Sequence, residues 1–400
     1  MKRSLKYIKQ PNRIDFGLIF ILIGMMIVSF VSIFTAFNLM TQNGTTILMQ
    51  QAMWYCLGFI VMGIIMFFGN DTIIRYIKKA YFFLIGCLIY LLLSKLCCSI
   101  TSHPLPLASS INGAYSWFQL PIGSFQPSEF MKIVLVIICA DVINEHNLNR
   151  SVITFTNDIE LFKKILQWAG PPLLLILLQP DTGVCLIIIL SLVVMLMCSG
   201  IKKQWILIGG GLLLFTLIVF FYLFFFQYDL LTNFIQGYKL NRITAWLYPE
   251  ENMATTGLQL YSALLSLGAG GLTGFGLQPD VLAIPEAQTD FIFAVIGQSF
   301  GLIGTTTVLA VCLLLDLYIL RIAINTNIMT EKYLISGVLG FMIYQQIQNI
   351  GMITGLLPIT GITLPLISYG GSSILSYFIV FGMIMNISSH AKKYADFIYS

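Results

Sequence analysis

Charge is what this chain has least of. Asp, Glu, Lys and Arg together make up 10% of its 400 residues, against 58% apolar residues. Soluble proteins carry roughly 25% charged residues, and with a mean hydropathy of +0.88 the apolar surface is more than a soluble fold of this length can hide. Lipid is therefore the solvent for most of the chain. The net charge of +4 excludes a general nucleic-acid-binding character. Eight cysteines stand almost entirely inside apolar runs without one CxxC pair, and three histidines lie far apart without an HExxH. Inert buried thiols follow, and zinc chemistry does not. No GxxxxGK[ST] loop is present, which argues against ATP-driven machinery. No small-residue cleavage site follows the first apolar run, so that run reads as a span and not as a leader.

What is present is a series of apolar stretches, each near the ~20 residues that a helix needs to cross a bilayer. They run at 15–37, 50–69, 80–98, 127–144, 166–178, 182–200, 204–226, 290–320, 334–354 and 372–388, so the expected architecture is an all-α polytopic membrane protein of ten helices, one integral domain over 1–400. With the N-terminus placed in the cytoplasm, seventeen of the 21 basic residues fall in the inner segments and only Lys239 and Arg242 in the outer loops. By the positive-inside rule both termini, 1–14 and 389–400, are then cytoplasmic. The outer face receives the loops 99–126, 227–289 and 355–371. The longest of them, 227–289, is semi-apolar and is expected to hold interfacial or re-entrant helices.

Ionisable groups in or beside such spans are functional candidates by default. Glu129 and Lys132 stand three apart after Pro127, on one helix face where each neutralises the other; a structural ion pair and the wall of a substrate cavity are both open readings. Asp181, in the Gln179–Gly183 corner, reads first as a helix cap. Glu286 and Asp290 are four apart at the lip of the eighth run. If helical they share a face and repel, which calls for a cation or a substrate; ordinary acids at a helix N-terminus are the plainer alternative. The glycines from Gly268 to Gly276 follow no strand and lack the dinucleotide register, so close packing or a re-entrant turn is expected. Ser368 to Ser373, with Gly370 and Gly371, reads as a loop leading into helix caps, and Trp117 as an interfacial anchor.

Together these segments resemble the SEDS family of RodA, FtsW and SpoVE membrane proteins. The resemblance rests on Asn112–Trp117, Gln126–Lys132, Gln179–Gly183, Arg242-Ile243 with Pro249-Glu250, Pro285–Phe291, Gly355–Gly361 and Leu364–Ser373, in family order from about residue 15 to 390. It implies a ten-span peptidoglycan glycosyltransferase that polymerises lipid II at the outer face of the bacterial cytoplasmic membrane, for elongation, division or sporulation, beside a class B penicillin-binding protein as transpeptidase. It further implies that Asp290 is the essential carboxylate, Glu129 and Lys132 the charged helix pair and Trp117 the outer-loop tryptophan, with Gln126, Arg242, Glu286, Ser368, Gly370 and Gly371 in supporting places. The wording around Asn349–Met352 and Ile359–Gly361 is closer to the rod-elongation branch. The chain departs from the family at Gln288 (usually His), Gln298-Ser299 (Glu-Glu or Glu-Trp), Ser262-Ala263 (Gln-Ser), Phe275 (Lys) and Tyr115 (basic). These losses remove polarity and leave a weakened or partner-dependent activity open.

The implied chemistry joins an α-linked donor into a β-1,4 polymer, so one in-line displacement suffices. It needs one general base for the attacking 4-hydroxyl, for which Asp290 is the candidate, and positive charge at the departing pyrophosphate. Lys132, Lys239 and Arg242 are the cations offered on that side, and Mg²⁺ or Mn²⁺ held by Glu286 or Asp290 is a candidate cofactor. A lipid-linked sugar transporter and a non-enzymatic scaffold for the transpeptidase are the alternatives. A carrier needs polar groups from face to face, and the inner halves of the runs offer little beyond Asp141 and Asp316. The charge count makes a topology prediction: a reporter fused after residue 240 reads extracytoplasmic and one after residue 155 cytoplasmic, and the opposite readings would overturn the orientation.

Overall fold

The computed structural model describes residues 14–399 apart from 41–42, 109, 111–113, 122, 151, 235–236, 254–256 and 280. The basic N-terminal segment and Asn112-Gly113 lie outside the described residues, as do the side chains of Lys239, Lys392 and Lys393. The chain is nearly all helix: α1 (Phe16–Thr35), α2 (Gly44–Phe68), α3 (Asn70–Thr101), α4 (Pro127–Asn149), α5 (Phe155–Leu178), α6 (Thr182–Cys198), α7 (Lys203–Phe226), α8 (Tyr228–Phe234), α9 (Gly237–Leu247), α10 (Gly257–Gly270), α11 (Ile292–Asn325), α12 (Met329–Ile353) and α13 (Gly371–Tyr399). A small hairpin, β1 (Phe118–Leu120) with β2 (Gly123–Phe125), precedes α4. Among the described residues seven helices (α1, α2, α3, α5, α7, α11 and α13) are long and apolar enough to cross a membrane by themselves. The apolar runs expected at 127–144, 182–200 and 334–354 also fold as helices. Of these α6 is short at 17 residues, α4 carries Glu129, Lys132 and Asp141, and α12 carries Gln345, Gln346, Gln348 and Asn349.

Several boundaries move. The span expected at 166–178 begins at Phe155, because Thr154 accepts the Asn157 amide at 3.2 Å and starts the helix eleven residues before the apolar run. Within α5, Pro172 cannot donate to the Trp168 carbonyl; the Tyr81 hydroxyl of α3 donates there instead at 2.9 Å. The expected span 80–98 likewise extends back to Asn70, so Arg75, Lys78 and Lys79 are helical. The run expected at 290–320 becomes Ile292–Asn325, broken at Gly301 with φ 58°.

The core lies where α4, α12 and α13 meet. α13 packs along α2, α12 along α6 and α4, α1 along α11, and α10 returns against the first turns of α11. That return is the close packing expected of the glycine stretch: a Cβ on Gly270 or Gly274 would collide with the backbone of Gly297 or Ser299. The long segment after α7 does hold helices, α8 to α10. α7 itself stands off the bundle, exposed along residues 206–219, with Phe224 buried only against α8 and α9. At one end of the bundle Asn147 and Arg150 of α4 donate to the α6–α7 turn, Tyr318 donates to Asp15, and Asn386 donates to Asn70. Arg321, Lys332, Lys202 and Lys203 belong to that basic end, opposite the end where α4, α6 and α11 begin.

Candidate active site

Asp290 is the last polar residue before α11. It does not share a helical face with Glu286: residues 285–291 form a turn in which Glu286 takes φ 53°, and its carbonyl accepts from the amides of Thr289 at 3.1 Å and Phe291 at 3.3 Å. The i, i+4 helical reading of the two acids is therefore corrected, since the left-handed residue after Pro285 closes a turn before a helix can start. Glu286 points outward, its Oε2 accepting from the Thr289 hydroxyl at 3.1 Å. Asp290 is half-buried, and its Oδ2 lies beside Gly361, where φ is 74° and a Cβ would come within 3.3 Å of it.

Helix side chains hold that turn. Asn349 of α12 donates through one amide nitrogen to the Asp290 carbonyl at 2.8 Å and to the Ile362 carbonyl at 2.7 Å, tying the turn to the segment after α12. Ser368 donates to the Thr289 carbonyl at 2.7 Å while accepting from the Leu364 amide at 2.9 Å, and the Tyr369 amide donates to Gln288 at 2.9 Å. Gln51 of α2 completes the strap, donating to the Ser368 carbonyl at 3.2 Å and accepting from the Gly370 amide at 3.4 Å. Gly371 is needed for a different reason: a Cβ there would enter the Trp54 ring. Burial, reinforced by the neighbouring Glu286 carboxylate and opposed by Arg242 of α9, pushes Asp290 up to about 7. α9 reaches this end through Trp246, which donates to the Gly355 carbonyl at 2.8 Å.

A second polar group lies at the start of α4. The Trp117 indole donates to Gln126 Oε1 at 3.1 Å, Gln126 Nε2 donates to Asp181 at 2.9 Å, and the Gln126 amide donates to Ser372 at 3.0 Å. Trp117 is thus a partner of Gln126 and not merely an interfacial anchor. Asp181 caps α6 as expected, accepting from the Val184 amide at 3.3 Å, but it also gathers Gln126 and Ser128; burial raises its carboxyl against these donors. Ser372 links Gln126 to Ser124 and so joins the hairpin to α13, a role that the cap reading of Ser368–Ser373 did not foresee. Gly183 bridges the two groups, because a Cβ there would lie within 3.3 Å of Ile362 and 3.7 Å of the Thr360 carbonyl.

Just below, Lys132 donates to Glu129 at 2.6 Å, with side chains 1% and 8% exposed. The lysine also faces the Tyr377 hydroxyl at 3.4 Å, lies over the Tyr377 and Phe341 rings, and Tyr377 donates to Gln345 at 2.7 Å. Held in this way between α4, α12 and α13, Lys132 is committed to the core, and Arg242 is the cation described beside Asp290. Gln298 and Ser299, where the resemblance implies Glu-Glu or Glu-Trp, are fully buried under the Gly270–Gly276 return, Gln298 donating to the Leu282 carbonyl at 3.3 Å. Gln51, Tyr377 and Gln345 were not singled out in the sequence, and Asn349 only as part of the Asn349–Met352 wording and not as a site residue; an amide or hydroxyl within an apolar run was the signal available. Among the described residues no three His, Cys, Asp or Glu side chains form a metal site. Two carboxylates completed by substrate phosphates are nevertheless a common way to hold Mg²⁺, and Glu286 with Asp290 supplies that number.

The cell cycle protein model shared by FtsW, RodA and SpoVE matches residues 12–393. The chain belongs to this family. It is 31% identical over 393 residues to a probable peptidoglycan glycosyltransferase FtsW of Geobacter sulfurreducens, covering 96% of this chain and 98% of that one. To the stage V sporulation protein E of Bacillus subtilis it is 32% identical over 289 residues, covering 70% and 73%. A solved chain described under "Structural coordination of polymerization and crosslinking by a peptidoglycan synthase complex" superposes with a TM-score of 0.72 at 23% identity, over 94% of this chain and 97% of that one. That likeness carries the fold. With family and helices together, this is a multi-pass bacterial membrane protein.

The ion pair yields a stability prediction. Removing one partner of a buried pair costs about 3–5 kcal/mol, whereas replacing both by apolar residues is often near neutral. Lys132→Met and Glu129→Leu are each expected to lower the melting temperature of the purified protein, and Glu129→Leu/Lys132→Met to recover most of the loss. Losses that simply add in the double variant would mean that the two groups do not interact.

Proposed function

We propose that this chain is a peptidoglycan glycosyltransferase polymerising lipid II at the outer face of the cytoplasmic membrane, with Asp290 as general base. The observation that carries the reading is the Asp290 carboxylate, raised to about 7 at the mouth of the bundle on a turn whose backbone carbonyls at Asp290 and Thr289 are strapped by Asn349 and Ser368. By the positive-inside rule the basic end of the helices faces the cytoplasm, so this mouth opens outward. A base with a pKa near ambient pH combines a deprotonated fraction with enough basicity to take a hydroxyl proton. In the displacement the 4-hydroxyl oxygen of one sugar bonds to C1 of the other, the C1–O bond to pyrophosphate breaks with inversion, and the hydroxyl proton passes to Asp290. Arg242 faces the negative charge of the leaving group. A divalent cation held by Asp290 and Glu286 would supply further neutralisation there.

The family relatives' names support the reaction class. The solved complex, which couples polymerisation to crosslinking, supports a transpeptidase partner, in our reading a class B penicillin-binding protein. A second reading, transport of a lipid-linked sugar, draws on the buried polar groups that continue below the mouth, from Lys132 through Tyr377 to Gln345, and on Gln346 with Asp316 at 3.3 Å.

Asp290→Asn preserves shape and removes the proton acceptor, so polymerisation of labelled lipid II is expected to fall roughly 10²–10⁴-fold with the fold intact. Parent-level polymerisation by this variant, with transport of the lipid abolished, would give the second reading the place of the first. The pH dependence has a definite sign. Only deprotonated Asp290 accepts a proton, so the rate rises with pH through a midpoint near 7. Glu286→Gln removes a repelling charge, moves that midpoint down and speeds the reaction below pH 7. A rate that is flat from pH 5.5 to 8.5 would remove Asp290 from the base role. Equal damage from Glu286→Gln and Asp290→Asn, relieved by excess Mn²⁺, would assign both carboxylates to a cation.

A further inference from the structure

At the basic end, α3 presents a ridge between two grooves. Its bundle-facing side is marked by the buried residues Ile77, Tyr81, Leu84 and Leu88. At 3.6 residues per turn the opposite side carries Arg75, Lys79 and Phe82, all exposed. On one flank a groove of about 370 Å³ runs between α3 and α5, lined by Phe82, Ile85, Trp168 and Pro171. On the other flank a groove of about 380 Å³ is lined by Phe68, Thr72, Ile73 and Tyr76. Each groove has a lysine over its aromatic wall: Lys78 lies 5.6 Å from the Trp168 ring centre and Lys79 lies 5.1 Å from that of Tyr76. Asp141 of α4 is close enough to interact with Lys78. Among the described residues no carboxylate within ion-pair distance engages Arg75 or Lys79.

We propose that this ridge is a binding site for a diphosphatidylglycerol-type phospholipid of the cytoplasmic leaflet, its two phosphates on Arg75 and Lys79 and one pair of acyl chains in each groove. Charge complementarity selects an anionic headgroup, and the two-sided geometry selects four chains over two. Arg75 and Lys79, one turn and about 6 Å apart along the lipid-facing ridge, give each of two phosphates joined through one glycerol its own cation, and the acyl chains pass to the grooves on either flank. A two-chain lipid would fill one groove and leave the other to bulk lipid. The apolar walls with a basic rim suit a lipid and not a free phosphate, because the grooves themselves offer an anion almost nothing polar. The site lies at the opposite end of the bundle from Asp290 and is independent of the activity proposed above.

Native mass spectrometry of the full-length protein, titrated with diphosphatidylglycerol, phosphatidylglycerol or phosphatidylethanolamine, tests this. One diphosphatidylglycerol is expected to be retained in preference to phosphatidylglycerol at equal phosphate, with phosphatidylethanolamine weakest. A basic residue facing an anionic headgroup is worth roughly a factor of five, so Arg75→Gln/Lys79→Gln is expected to weaken binding about thirty-fold. Lys163→Gln/Lys164→Gln, with the same change of charge on α5, is expected to leave it unchanged. Ile85→Trp, which fills one groove, is expected to bring diphosphatidylglycerol down to the level of phosphatidylglycerol. The melting temperature without added lipid checks that each variant folds. Equal retention of the two anionic lipids by the parent protein, or equal weakening by the two double variants, would overturn the proposal.

Discussion

Backbone carbonyls that no helix can satisfy set the terms for the functional end of this protein. The turn at 285–291 and the segment 354–370 both lie among helices at the membrane lip, and a buried peptide group without a partner there is costly. Helix side chains and the segments themselves supply the donors. Asn349 serves Asp290 and Ile362, Ser368 serves Thr289, Gln348 serves Pro358, Trp246 serves Gly355, Ser29 serves Ile367 and Tyr55 serves Leu366. Each bond meets a solvation demand and also fixes a loop. The catalytic candidate is therefore placed by groups whose first task is to keep irregular backbone stable in a place without water. The backbone that carries Asp290 is fixed by that constraint.

The membrane helices were legible because lipid imposes a length and a polarity that few other constraints can mimic. The Glu129–Lys132 pair was legible for the same reason: two charges three residues apart in an apolar run have little choice but to meet. Helix ends were less so. α5 starts at Phe155, capped by Thr154, and α3 at Asn70, directly after Gly69 at φ 78° with no side-chain cap, because a helix continues past the apolar run through polar residues that favour it. The relation of Glu286 to Asp290 was misread through spacing alone, since one residue in a left-handed conformation turns an i, i+4 pair into the two ends of a turn.

The roles of Asn349 and Gln51 were not legible in the sequence for a different reason. An amide in an apolar helix announces that it has a partner but not which one, and here the partners are carbonyls 13 and 317 residues distant. Ser372 was legible as a helix-start serine and proved to be a cross-link, because the hairpin before α4 competes for the same hydroxyl. The departures from the family pattern at Gln298 and Ser299 likewise change meaning in three dimensions. Both are enclosed beneath the α10–α11 return, where neutral groups fit a tight backbone contact better than acids would.

α7 leads elsewhere. Because residues 206–219 are all exposed and only Phe224, near the far end, is buried, against α8 and α9, a change from one apolar residue to another along that stretch alters no packing and opens no cavity. Selection on this helix acts through its hydrophobicity and length, while α12, with buried amides and tightly apposed glycines at Gly337, Gly340 and Gly351, is held residue by residue. Over evolutionary time the two helices should therefore diverge at different rates within one molecule, with α7 drifting freely among apolar residues and α12 almost frozen.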